Sequence, residues 1–188
     1  AAGGILHEEF RSPGFTRPGG PFRMVQLWVN LPAKDKMAAP GYQSIVDAHI
    51  PVVDLGGGRA RLIAGTLGGK TGPARTFTPV NVWDVRLDRD ADVMLDLPEG
   101  HTTLVVVLSG HVTVNGTDAG GAEVLELSRT GTSTRIAASG DSTLLVLTGE
   151  PIEEPIVGYG PFVMNSEAEI RAAIDDFNSG RFGRMAAA

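Results

Sequence analysis

The sequence predicts an all-β protein, on three observations. Short apolar or alternating runs of strand length recur at close, regular intervals through most of the chain. Turn signals rich in glycine, asparagine and proline separate them. Helical periodicity is absent until the last thirty or so residues, and no βαβ alternation appears. Composition agrees: 188 residues include 25 glycines and 12 prolines, which suits many short strands joined by turns. With 42% hydrophobic residues the chain can bury one sizeable core, or one and a half small ones. A barrel or sandwich is the expected architecture.

Taken in order, Gly3 to Phe10 reads as a short strand entered through glycines, and Arg11 to Phe22 as a Pro/Gly-rich loop. Met24 to Leu31 alternates, with Val25, Leu27, Val29 and Leu31 on one face, and Pro32 ends it. Residues 33–43 form a polar connection with a Pro40-Gly41 turn. Gly56-Gly57-Gly58 separates Ile50–Leu55 from Arg61–Ile63, as a hairpin or bulge would. Six further strands are expected at Val80–Leu87, Thr103–Leu108, His111–Asn115, Ala122–Leu127, Thr134–Ala137 and Ser142–Leu147. Pro98-Glu99-Gly100, Ser109-Gly110, Asn115-Gly116 and Ser139-Gly140-Asp141 punctuate them. Ser166-Glu167-Ala168-Glu169 is a capping box, Ile170, Ile174 and Phe177 follow at helical spacing, and Gly180 stops the helix. Its apolar stripe should lie on the barrel. Residues 1–50 hold too few strands to close a barrel and 51–165 hold enough, so the expected domains are 1–50 and 51–188, the latter including the helix.

Composition also excludes. Sixteen basic against 22 acidic residues give a net charge of −6, with no Lys/Arg-rich run, so direct nucleic-acid binding is not expected. The chain has no cysteine, which removes disulfides, thiolate metal sites and cysteine nucleophiles. No apolar run approaches the roughly 18 residues of a membrane helix, and no secretory signal opens the chain. A soluble cytoplasmic protein without membrane contact is expected. The chain opens on Ala1-Ala2-Gly3-Gly4, so a preceding N-terminus is expected, and Ala186-Ala187-Ala188 reads as a frayed tail.

Four histidines are the starting points for chemistry. In a strand, His7 and Glu9 share a face, because side chains alternate with period two. An imidazole beside a carboxylate suits a divalent metal. By itself His-x-Glu is a weak signal, and the residues alone favour a polar strand edge. His49 falls in a connection, and His101 and His111 read as ordinary strand histidines. Asp88-Arg89-Asp90-Ala91-Asp92 lacks the glycine and distal glutamate of a calcium loop and reads as a solvated turn. Gly65 to Gly72 lacks the spacing and following helix of a phosphate loop. Ser109 and Ser139 have no histidine–acid pairing that spacing could establish. Trp28 and Trp83 are expected in packing rather than as a substrate platform.

Three blocks carry a family resemblance. Ala2-Gly3-Gly4-Ile5-Leu6-His7-Glu8-Glu9 resembles the end of the metal-binding motif of pirins. Gln26-Leu27-Trp28-Val29-Asn30-Leu31-Pro32-Ala33-Lys34-Asp35-Lys36-Met37, with Pro40 and Tyr42-Gln43, resembles the block that follows it. Gly149-Glu150-Pro151, Glu154-Pro155-Ile156 and Gly160-Pro161-Phe162-Val163-Met164-Asn165 resemble the family's C-terminal signature. The resemblance implies a bicupin of two stacked double-stranded β-helix barrels, the first of them incomplete here. It implies one metal ion, iron(II) foremost, held by three histidines and a glutamate. His7 and Glu9 match the last histidine and the glutamate of that set. The two remaining histidines would lie in a His-x-His upstream of Ala1, so tight binding by these residues alone is not expected. In the second barrel the equivalent paired positions are Asp96 and Pro98, which cannot form a cage, so that barrel is expected to be metal-free.

The resemblance implies two functions. One is an iron-dependent dioxygenase of the quercetin 2,3-dioxygenase type, with a flavonol or other small aromatic substrate and Glu9 doubling as ligand and base. The other is a non-enzymatic iron-binding co-regulator of transcription acting through a protein partner. A roomy apolar cavity around His7 would favour the first and a plugged one the second. Because the strands from Ile5 to Leu31 normally close a barrel, three outcomes are open for them. Another chain supplies partners, the segment is loose, or (the preferred expectation) a preceding segment completes the barrel.

Overall fold

The computed structural model describes residues 2–9 and 13–185. Phe10 of the first expected strand, Arg11 and Ser12 of the loop, and the Ala186–Ala188 tail lie outside the described residues. The chain divides into two compact units, Ala1–Tyr42 with Ile152–Ala188, and Gln43–Pro151.

The second unit holds twelve strands. They are β1 (Val52–Asp54), β2 (Gly58–Ala64), β3 (Thr66–Leu67), β4 (Lys70–Thr71), β5 (Val80–Leu87) and β6 (Asp92–Asp96), then β7 (Thr102–Ser109), β8 (His111–Val114), β9 (Thr117–Gly120), β10 (Val124–Leu127), β11 (Ser133–Ala138) and β12 (Ser142–Gly149). A six-stranded antiparallel sheet runs β1-β2-β5-β12-β7-β10, and a four-stranded one β6-β11-β8-β9. From β5 onward the chain crosses repeatedly from one sheet to the other. This winding is the double-stranded β-helix of a cupin barrel, built as two sheets over one core rather than as a closed ladder.

Period two explains the core. On β5, Trp83, Val85 and Leu87 point inward; on β7, Val105 and Val107; on β12, Leu144 and Val146; from the smaller sheet come Val93, Leu95, Val112, Val114 and Ile136. Each fully buried Val, Leu or Ile contributes about 1.5–3 kcal/mol. Trp83 therefore packs in the core, as expected. Asn115-Gly116 makes the two-residue β8–β9 hairpin, with φ of 48° and 87°, a turn that requires positive φ at both positions.

Several elements escape periodicity. The strand β6 begins and ends on aspartates, yet Val93 and Leu95 between them face the core. Gly68-Gly69 turns the small β3–β4 hairpin, so the glycine-rich run Gly65–Gly72 makes a turn. In the first unit Met24–Leu31 belongs to no helix or strand, contrary to the alternation of its residues. A strand exists through its ladder, and no described segment runs alongside to bond this one. Trp28, expected in packing, is 65% exposed, and Met24 is 64% exposed. The segment Gly3–Glu9 likewise forms no strand.

The first unit also contains a one-turn helix, α1 (Pro13–Thr16), a hairpin of β13 (Val157–Tyr159) and β14 (Phe162–Met164), and α2 (Glu167–Asn178). Ser166 caps α2, and Gly180 at φ 74° follows its end. Within its unit this helix packs mainly on β13 and β14, and its buried residues are Ile170 and Ala173. Among the described residues no helix is long and apolar enough to cross a membrane.

Candidate metal centre

The segment carrying His7 and Glu9 is anchored just upstream. Gly3 N–H donates to the Ala38 carbonyl at 3.0 Å. Gly4 lies at φ 105° against the Phe182 ring, where a Cβ would fall 2.3 Å from Cε1. Only glycine fits both that backbone and that approach. Phe182 in turn packs on Phe162 and Phe177, with ring centroids 6.1 and 6.2 Å away.

His7 and Glu9 then stand side by side, Nδ1 to Oε1 at 3.9 Å, with side chains 59% and 67% exposed. That separation exceeds a hydrogen bond, and so exposed a contact adds little stability. As a donor set, one imidazole nitrogen and one carboxylate oxygen fit a divalent metal. Among the described residues no third histidine, cysteine or carboxylate joins them into a cluster. The two residues thus fit as part of a metal cage.

Among the described residues the other histidines join no metal-ligand cluster. His49 ends a short 3₁₀ turn, Asp47–His49, that precedes β1. His101 Nδ1 lies 3.2 Å from Thr148 Oγ1. His111 is exposed, and its backbone N–H donates to Ser142 Oγ at 3.2 Å. Asp96 and Pro98 are exposed, while Leu95 and Leu97 beside them face the core. The acidic run ends on Asp92, which pairs with Arg135 at 2.5 Å.

Polar residues of the second and third motif blocks acquire a role that spacing alone does not reveal. Glu154 Oε2 accepts from Ala33 N–H at 2.6 Å and from Asn165 Nδ2 at 3.1 Å. Asn165 Nδ2 also donates to the Pro155 carbonyl at 2.9 Å, and Lys36 Nζ donates to Asn30 Oδ1 at 2.5 Å. Lys36 is 6% exposed. Burial pushes its ammonium below the ordinary value of 10.5, while the charges of Glu154 and Glu169 draw it back up. Residues 30–36, 154–155 and 165 are thereby held together as one polar clamp. The only sequence signal for it is that Lys36, Glu154 and Asn165 fall inside the motif blocks.

The chain resembles known proteins over almost its whole length. Residues 82–183 match the pirin C-terminal cupin domain. A Pseudomonas aeruginosa protein provisionally named quercetin 2,3-dioxygenase is 52% identical over 98% of this chain and 65% of its own. Rat pirin is 34% identical over 97% of this chain and 63% of its own. A crystal structure of quercetin 2,3-dioxygenase from Acinetobacter baumannii superposes with a TM-score of 0.90 at 50% identity, covering 94% of this chain and 62% of that one. The chain thus spans about two thirds of the length of the relatives it matches.

Proposed function

The chain belongs to the pirin family of cupin proteins, and on that premise we propose that the protein is a metal-dependent dioxygenase of the quercetin 2,3-dioxygenase kind. The observation that carries this reading is the 52% identity, over 98% of the chain, to a relative bearing that provisional name. The 3.9 Å approach of His7 and Glu9 supports the location of the chemistry.

In this proposal His7 and Glu9 are two ligands of a divalent metal, iron(II) foremost. When bound, such a metal supplies positive charge and open coordination positions for a substrate oxygen and dioxygen. His7 contributes a neutral imidazole donor, which needs its ring deprotonated at the ligating nitrogen. Glu9 contributes a carboxylate oxygen and, through its other oxygen, holds the proton of a flavonol hydroxyl as that hydroxyl ionises. Gly3 and Gly4, held at Ala38 and Phe182, anchor the chain just upstream of the two residues. The substrate class is a flavonol such as quercetin.

Iron-loaded protein containing this chain should consume oxygen when quercetin is added, and His7→Ala or Glu9→Ala should lower the rate by at least a hundredfold. No uptake by the iron-loaded wild type defeats the reaction. Uptake that survives in His7→Ala defeats the site.

A further inference from the structure

The barrel of residues 43–151 has an opening at one end, a cleft of about 320 Å³ near the small end of ligand-pocket sizes. Apolar walls come from Leu97, Val114, Leu125 and Leu127. Between them lie two threonines on opposite sheets, Thr103 of β7 and Thr134 of β11. Both sit on inward stripes, Thr103 below Val105 and Val107, Thr134 below Ile136 and Ala138. They are 4% and 5% exposed.

Their hydroxyls stand out against a neighbour. Thr148 lies opposite Thr103 across the β7–β12 ladder and also faces inward. Its hydroxyl is satisfied, accepting from Asn81 Nδ2 at 2.8 Å and lying 3.2 Å from His101 Nδ1. Neither Thr103 nor Thr134 makes a side-chain hydrogen bond among the described residues, although both border the cleft. Neither oxygen is among the fully buried side-chain atoms that lack a partner, so each hydroxyl is open to water from the cleft rather than sealed in the core. Two such groups facing one cavity are what a binding site leaves open for its ligand.

The lining also defines the ligand. No lysine, arginine or histidine borders the cleft, and its one carboxylate, Glu126, is exposed. An anion finds no counter-charge there. Hydroxyls both donate and accept, which matches hydroxyl groups, while the leucine walls take an apolar ring. We infer that the end of this second barrel binds a small neutral aromatic or alicyclic diol, with its hydroxyls on Thr103 and Thr134 and its ring among Leu97, Leu125 and Leu127. The site shares no residue with His7 and Glu9 and needs no metal.

Resorcinol is a suitable probe, because its hydroxyls are spread across a ring and do not chelate a metal. It is titrated into metal-free ¹⁵N-labelled protein and followed by amide chemical shifts. Saturable shifts are expected at Leu97, Thr103, Leu127 and Thr134. The Thr103→Val/Thr134→Val double variant keeps the β-branched shape and should weaken binding about tenfold or more. Leu127→Trp, which fills the cleft, should abolish it. Two results would each overturn the inference. One is the absence of saturable shifts at these residues in the wild type, leaving a cleft that holds water only. The other is undiminished affinity in a double variant whose remaining spectrum is unchanged.

Discussion

Asp92 and Arg135 show what one surface pair can and cannot do. Arg135 Nε and Nη2 donate to the two carboxylate oxygens at 2.8 and 2.5 Å, a fork-to-fork contact between β6 and β11. Hydrogen bonding to Arg135 holds the Asp92 carboxyl below its ordinary 3.8; slight desolvation opposes this, and Coulombic attraction adds to it. A depressed carboxyl favours the folded state above the unfolded value, and that contribution disappears as pH falls through the folded one. In Arg135→Gln the Asp92 midpoint should rise toward 3.8, with little change of stability at neutral pH because the pair is at the surface. A carboxyl-detected NMR titration measures it, and an unmoved midpoint would rule the pairing out in solution. Lys36 is the opposite case, a nearly buried cation whose two carboxylate neighbours, Glu154 and Glu169, lie in segments distant in sequence.

Among the elements, α2 carries the plainest local code. Ser166 Oγ accepts from Glu169 N–H at 3.3 Å and donates to Glu169 Oε2 at 2.9 Å, while Asn165 N–H donates to that same Oε2 at 3.0 Å. Ser166→Ala should cost about 1 kcal/mol of helix stability, and Ser166→Asp should retain most of it. The measurement is the thermal midpoint of ellipticity at 222 nm; equal midpoints for Ala and Asp would show that the cap is idle. Both this helix and the β5, β7 and β12 strands are legible in the sequence, because their signals are local: a capping box in one case, runs of inward Val and Leu in the other. The strand β6 is not, because Asp92 at its start belongs to the acidic run Asp88–Asp92, which reads as a solvated turn until the sheet aligns it. Met24–Leu31 fails in the other direction. Its alternation is real, but pattern supplies only a face, and a strand also needs a neighbour to bond. At the candidate site His7 and Glu9 are readable as a pair, whereas Thr103 and Thr134 are invisible. Only the fold shows that two ordinary strand threonines face one cleft.

For the molecule as a whole, the two units should differ sharply in how their backbones resist exchange with solvent. Strands β5, β7 and β12 are consecutive ladders in the interior of the six-stranded sheet, and their inward residues Trp83, Val85, Val105, Val107 and Val146 are fully buried. Opening any of them exposes the core, so their amides exchange only through the largest unfolding events. Residues 24–31 are the contrary case. Val25, Leu27, Trp28 and Val29 are 41–65% exposed, and the segment belongs to no ladder among the described residues. Their amides should exchange at nearly the rate of an unstructured peptide, at least a thousandfold faster than those of β5, β7 and β12. Hydrogen exchange read by NMR or peptide mass spectrometry on the 188-residue chain tests this directly. Exposed apolar residues on an unpaired extended segment also template pairing with another strand. Protection of residues 24–31 that appears only as concentration rises would therefore mean that chains pair through this segment. Protection comparable to β7 at the lowest concentration would refute the unpaired state of residues 24–31, because their amides would then already be bonded within one chain.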